Sequence, residues 1–214
     1  MFKIEKLDLI VSLYIFCIVT AELMGAKVFP IVQVGVLKLN ASVGILLFPI
    51  VYSLNDMISE VYGVERARSM VRAGILMIIA LTAFAILAVA LPPAARFKHT
   101  ESAYDLIFGT SIRISLASLV AFALADFLDV YIFSKIRKRM GKSRLWLRIN
   151  LSNVISLLVD TVVYMTLAFY SLDEPFGANV AFLTSIMIPY WLVKCSMSLL
   201  ETPFVYAGVK WLRK

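Results

Sequence analysis

Runs of about 20 residues with almost no charge recur along this chain of 214 residues, and no other feature limits its fold as much. A bilayer core roughly 30 Å thick needs about 20 apolar residues in a helix, because each backbone N–H and C=O must find its partner within the segment. One soluble domain would not need that length several times over. The composition agrees: 61% of the residues are hydrophobic, where soluble domains lie near ~45–50%. The expectation is an all-α polytopic membrane protein with six transmembrane helices. It is read as one transmembrane domain, 1–214, with spans at about 9–26, 43–62, 69–91, 111–133, 148–171 and 181–209.

Breakers bound these spans. Leu91-Pro92-Pro93 closes the third, since proline cannot continue a helix cheaply. Asp173-Glu174-Pro175-Phe176-Gly177 reads as the turn between the fifth and sixth. Gly25 and Pro30 mark the first loop, while Pro49, Pro189 and Pro203 fall inside spans as candidate kinks. Lys3 and Lys6 before an apolar stretch resemble a signal peptide, but no small-residue cleavage site follows, so the stretch is kept as the first span.

Lys and Arg set the orientation. With the N-terminus in the cytoplasm, the inner side carries 15 of them, including seven between Lys135 and Arg148, and the outer side carries 5. Both termini are therefore expected in the cytoplasm, in a cell (inner) membrane. The net charge of +7 reads as topology and attraction to membrane lipid headgroups. It does not read as nucleic-acid binding, for no interleaving of basic and aromatic residues is present.

Other classes find little support. Cys17 and Cys195 lie inside apolar runs and read as small hydrophobes, and His99 is the sole histidine, so neither a disulfide framework nor a metal site is expected. No cofactor is implied. The zinc-protease, nucleophile-elbow and phosphate-loop motifs are missing, so no catalytic residues are assigned and the chain is not read as an enzyme. A carbonyl-lined channel filter is missing too.

Ionisable groups inside a bilayer are costly and need a partner, a cavity or a function. In the second span Asp56 and Glu60 are four residues apart, so both carboxylates share a helix face, which Tyr52 extends by one turn. The blander account is that Glu60 reaches water at a helix end or pairs with Arg66 or Arg68. The fifth span carries Asn150, Asn153, Asp160 and Tyr164 at helical spacing, with Ser156 nearby; the sixth carries Tyr190, Lys194 and Glu201. Neighbouring antiparallel helices would bring Asp160 and Lys194 to similar depth, as a structural ion pair or as part of a substrate or proton site. Asp126 and Asp129 lie towards the inner end of the fourth span, beside a ladder of Ala117, Ala121 and Ala125 that signals close packing. Glu22, near the outer end of the first, either guards an entrance or faces water.

Three segments carry a resemblance. Asp56-Met-Ile-Ser-Glu60-Val-Tyr62-Gly63, followed by Arg66-Ala67-Arg68, resembles the D-x-x-x-E-V-Y-G…A-R segment of the queuosine precursor transporter family, a VUT-type group. Arg148 through Ser152, Asp160 and Thr161 is similar to its R…S…D-T segment, and Lys194…Thr202-Pro203…Tyr206 to its K…T-P…Y segment. The match runs from the second span to the sixth in order. The chain departs from the family at Leu157, where Gln is frequent, and at Glu22, where Asn is frequent.

The resemblance implies uptake of 7-deazaguanine precursors of queuosine, such as preQ0 and preQ1, through a polar cavity near mid-membrane. On that implication Asp56, Glu60 or Asp160 would accept ring N–H donors, and Lys194 or Asn153 would donate to the ring carbonyl. Tyr52, Tyr164, Tyr190 or Trp191 would stack on the ring. The expected partners are this small molecule and membrane lipid, and the small size is compatible with a homodimer. A substrate-binding subunit of an ATP-driven uptake system fits the same size and helix number, and a membrane scaffold with purely structural ion pairs is the reading from another class.

Overall fold

The structure, a computed structural model, describes residues 5–34, 37–140, 145–200 and 202–213. It is mostly helical. Helix α1 covers Lys6–Met24, α2 Phe48–Tyr62, α3 Val64–Ala90, α4 Glu101–Met140, α5 Leu145–Phe169, α6 Phe176–Leu200 and α7 Thr202–Arg213. Among the described residues five helical stretches are long and apolar enough to cross a membrane: Lys6–Met24, Val43–Tyr62, Val64–Ala90, Glu101–Ala125 and Phe176–Ser196. A further apolar stretch is Val154–Phe169. Large apolar side chains face outward along them, Phe84 at 70% exposure and Leu106 at 71%. A water-soluble protein rarely exposes apolar surface on this scale, whereas lipid requires it.

The expectation of an all-α chain needs one correction. The first loop holds a two-stranded hairpin, β1 (Val28–Val34) with β2 (Leu37–Ser42). The β-branched residues Val28, Ile31, Val32 and Val34 suit a strand, and Pro30 is tolerated because both strands of a two-stranded sheet are edges. Ser42 closes the second strand. Its hydroxyl donates to the Gly25 carbonyl at 2.6 Å and accepts from the Gly44 N–H at 3.2 Å, capping a short 3-10 turn at Val43–Leu46.

Two of the expected kinks prove to be helix starts. Pro49 lies in the first turn of α2 and Pro203 in the first turn of α7, where a missing N–H costs nothing. Pro189 alone of the three lies in a helix interior, that of α6. The stretch 181–209 is covered by two helices, α6 and α7. α4 has 40 residues, about 60 Å of helix, twice what a bilayer core needs.

The contacts divide the chain into two compact units. The first contains Met1–Phe29, Ser42–Ser115 and Ser196–Lys214. Its core joins Ile10 and Tyr14 of α1, Leu54 and Ile58 of α2, Ala67 and Met70 of α3, and Leu212 of α7. α1 and α3 approach closely at Gly74, where an added Cβ would lie 2.6 Å from Ile18 Cδ1 and 3.1 Å from the Tyr14 ring. The second unit contains Pro30–Ala41 and Leu116–Cys195. It buries Ala117 and Ala121 of the alanine ladder together with Thr161, Met165, Ile186 and Tyr190. The hairpin is tied to α6 in this unit by Asn40 Nδ2, which donates to Ser185 Oγ at 2.8 Å.

α5 and α6 are joined by a short turn organised by Asn179, which is 3% exposed. Its Oδ1 accepts from the Ser171 N–H at 2.9 Å, and its Nδ2 donates to the carbonyls of Ser171 at 2.8 Å and Glu174 at 3.0 Å. One amide thus satisfies three backbone groups of the turn between the two helices.

Candidate functional site: a charged cleft and a buried ion pair

The first unit holds a cleft of about 1080 Å³ between α2, the start of α3, and α7. α2 contributes Asp56, Ser59 and Glu60, and α7 contributes Tyr206, Lys210 and Arg213. The spacing explains both walls. Residues 56 and 60 are one helical turn apart, and residues 206, 210 and 213 follow the i, i+4, i+7 pattern of one face. Arg213 Nη2 pairs with Glu60 Oε1 at 3.2 Å across the cleft. Tyr52, one turn before Asp56, has its ring centroid 6.1 Å from that of Phe48, in a tilted arrangement.

Two local features set this geometry. Gly63 ends α2 and begins α3 with φ 89° and ψ 161°, a conformation essentially reserved for glycine. Its N–H bonds the Ser59 carbonyl, while its own carbonyl accepts from the N–H of Arg66 and of Ala67. The Tyr62-Gly63 step therefore turns the chain sharply just after Glu60. On the other wall Gly208 of α7 lies directly against the Met57 thioether of α2, so the two backbones come close. At the helix ends Lys6 Nζ donates to the Trp211 carbonyl at 2.9 Å and lies 5.3 Å from the Trp211 ring centroid, which ties α1 to α7.

The second unit brings Asp160 of α5 and Lys194 of α6 into direct contact. Lys194 Nζ lies 2.5 Å from Asp160 Oδ2, with side-chain exposures of 6% and 21%. Ser156 and Tyr164 flank Asp160 one turn away on either side, and Tyr190, 1% exposed, precedes Lys194 by one turn. The Tyr164 ring meets Phe169 edge-on at 6.3 Å. Trp191 Nε1 donates to the Val154 carbonyl at 3.5 Å, a long bond that links α5 and α6 again. Thr161 spends its hydroxyl on the Leu157 carbonyl of its own helix.

The residues singled out from sequence thus fall into two groups. Tyr52, Asp56 and Glu60 belong to the first unit; Asp160, Tyr164, Tyr190 and Lys194 belong to the second. The side chains of Asn150, Asn153, Asp126, Asp129 and Glu201 lie outside the described residues. Glu60 pairs with Arg213 and not with Arg66 or Arg68; Arg68 pairs instead with Glu65 at 2.8 Å. Glu22 is buried, at 7% exposure, and does not face open water. Ser59, Lys210 and Arg213 were not singled out for the site, although the face they form with Tyr206 and Asp56 follows from helical spacing once α7 is known to pack on α2.

Apolar helices that expose their hydrophobic side chains, with carboxylates and cations gathered in a cleft and a buried pair, define a polytopic helical membrane protein. Residues 42–208 match the family described as "Putative vitamin uptake transporter" (Vut_1). The chain belongs to this family of membrane transporters, and it is therefore not an enzyme. It is 33% identical over 196 residues to the "Probable queuosine precursor transporter" of Bacillus subtilis, a match covering 91% of this chain and 81% of that one. The "Probable queuosine precursor transporter" of Haemophilus influenzae is 29% identical over 64% of this chain and 55% of its own. The "Queuosine precursor transporter" of Escherichia coli is 26% identical over 68% and 63%. No solved structure matches the chain.

Proposed function

We propose that the protein imports 7-deazaguanine precursors of queuosine, such as preQ0 and preQ1, as a self-contained secondary transporter. The observation that carries this reading is the cleft. Asp56, Glu60 and Tyr206 come from two separate family-like segments, and they line one cavity of about 1080 Å³, roomy for a single purine-sized base. The relatives' names supply the substrate class.

Two groups of residues bind the substrate in this proposal: Tyr52, Asp56 and Glu60 in the first unit, and Asn153, Asp160, Tyr164, Tyr190 and Lys194 in the second. A guanine-like edge presents adjacent N–H donors that a carboxylate can accept as a pair, and a ring carbonyl that an ammonium or amide can serve. Such a site rejects bases lacking those groups, because its buried polar atoms would be left unpaired. The chain acts as one transmembrane domain with both termini in the cytoplasm, in accord with its Lys and Arg distribution, and is small enough to work as a homodimer.

The test is uptake into liposomes containing only the purified protein. Accumulation of labelled preQ0 or preQ1 without any ATPase supports a self-contained transporter. Binding without uptake would place the chain as the membrane subunit of an ATP-driven system. Failure of both would overturn the substrate class.

A further inference from the structure

Helices α2 and α7 run side by side in the same direction, and three contacts fix their register. Phe204 shares a small apolar pocket with Pro49, Ser53 and Met57. Gly208 lies against the Met57 thioether, and Arg213 Nη2 meets Glu60 Oε1. Residue 208 is thus level with 57, and 213 with 60. Lys210 falls between those levels, opposite the helical turn that runs from Asp56 to Glu60. At about 1.5 Å of rise per residue it stands within roughly one turn of both carboxylates along the axis. All three residues line the same cleft.

The two cations of the α7 wall are not equivalent. Arg213 is engaged by Glu60. The Lys210 ammonium makes no ion pair or hydrogen bond among the described residues. An ammonium carries three N–H donors and accepts nothing, whereas ionised carboxylates only accept. The cleft therefore sets a donor on the α7 wall level with acceptors on the α2 wall, across about 1080 Å³ of space. A 7-deazaguanine carries the complementary groups on one edge, ring and exocyclic N–H donors beside a C=O acceptor. With its N–H groups towards α2, the carbonyl is the group left for Lys210.

We propose that Lys210 is a specificity-determining residue of this cleft: its ammonium donates to the ring carbonyl while an α2 carboxylate accepts from the ring N–H. The proposal rests on the 7-deazaguanine reading above and adds the group that recognises the carbonyl. The blander role for Lys210 is to temper the repulsion between Asp56 and Glu60. That role needs no ligand and is indifferent to the atom at the carbonyl position.

The experiment measures, by calorimetry on the detergent-purified full chain, the Kd of preQ0 and of its 6-thio counterpart. The thio base keeps the ring N–H and replaces the carbonyl with a weaker acceptor. The wild type should bind preQ0 about fivefold or more tightly than the thio base. Lys210→Met and Lys210→Ala should each bring that ratio close to one, mainly by weakening preQ0, and Lys210→Arg should keep the preference. A wild type that does not prefer preQ0 overturns the proposal, whether or not the variants fold. Equal weakening of both bases in a folded Met or Ala variant overturns it too, and makes the role of Lys210 structural. In both of those cases the 7-deazaguanine reading stands, because a base has bound. If neither base binds the wild type, both fall together.

Discussion

Arg213, in the last turn of the last helix, lies 3.2 Å from Glu60, the final carboxylate of α2, although 153 residues separate them in the sequence. Both side chains are more than half exposed, so the pair contributes little to stability, less than about 1 kcal/mol. Its importance is positional: it holds an α7 cation over a carboxylate that the resemblance assigns to substrate.

Glu60→Gln and Arg213→Gln should accordingly behave differently. Each should shift the Tm by no more than a few degrees. Glu60→Gln should lower uptake about 10- to 100-fold, the loss expected when a charged hydrogen-bond acceptor of the ligand is removed. Arg213→Gln should cost much less. Parallel uptake and thermal-shift assays decide this, and equal losses from both variants would make the pair structural.

Gly63→Ala should destabilise the protein by about 1–3 kcal/mol, the cost of forcing an L-residue into that backbone conformation. No atom lies within 4 Å of the added Cβ, so the penalty is conformational and not steric. Gly63→Asn should recover little, since ψ 161° lies outside the left-handed helical region that asparagine tolerates. Thermal denaturation of the two variants in detergent measures both effects.

Asn179→Ala should cost about 1–3 kcal/mol, because it strips partners from the Ser171 N–H and from two carbonyls at once. Asn179→Asp should restore only the acceptor half of the network. Protease sensitivity of the α5–α6 turn should rise in the same order. An alanine variant as resistant as wild type would show that water replaces the amide fully.

The proposed cytoplasmic position of both termini can be tested at Leu172, which is 92% exposed in the α5–α6 turn. A Leu172→Cys variant, with Cys17 and Cys195 replaced by alanine, should react with a membrane-impermeant maleimide in intact cells. A cysteine at Arg68, in the stretch between the second and third spans, should react only after the cells are opened. The reverse pattern would invert the proposed topology.

Much of the architecture was legible in the sequence because a bilayer imposes a length rule on each segment separately. Apolar runs of that length mark helices whatever their neighbours are, and Leu91-Pro92-Pro93 stops α3 on backbone grounds alone. The Asp56/Glu60 face was legible for the same reason, since helical spacing is local. The hairpin at Val28–Ser42 was not: Pro30 and a short alternation compete with a loop, and its anchors are non-local, Asn40 to Ser185 and Ser42 to Gly25. Pro49 and Pro203 looked like kinks because hydropathy does not show where a helix begins.

The sequence by itself determined which groups are costly in a membrane, for that depends only on residue type and position within an apolar run. Tertiary structure alone decided their partners. Glu60 had basic residues nearer along the chain than Arg213, yet α7 packs on α2 through Gly208 and Met57 and brings Arg213 to it. Asp160 and Lys194 could be matched only in approximate depth until the α5–α6 turn closed around Asn179. Side chains meet through helix packing and turn geometry, and those arise from contacts distant in sequence that no local pattern encodes.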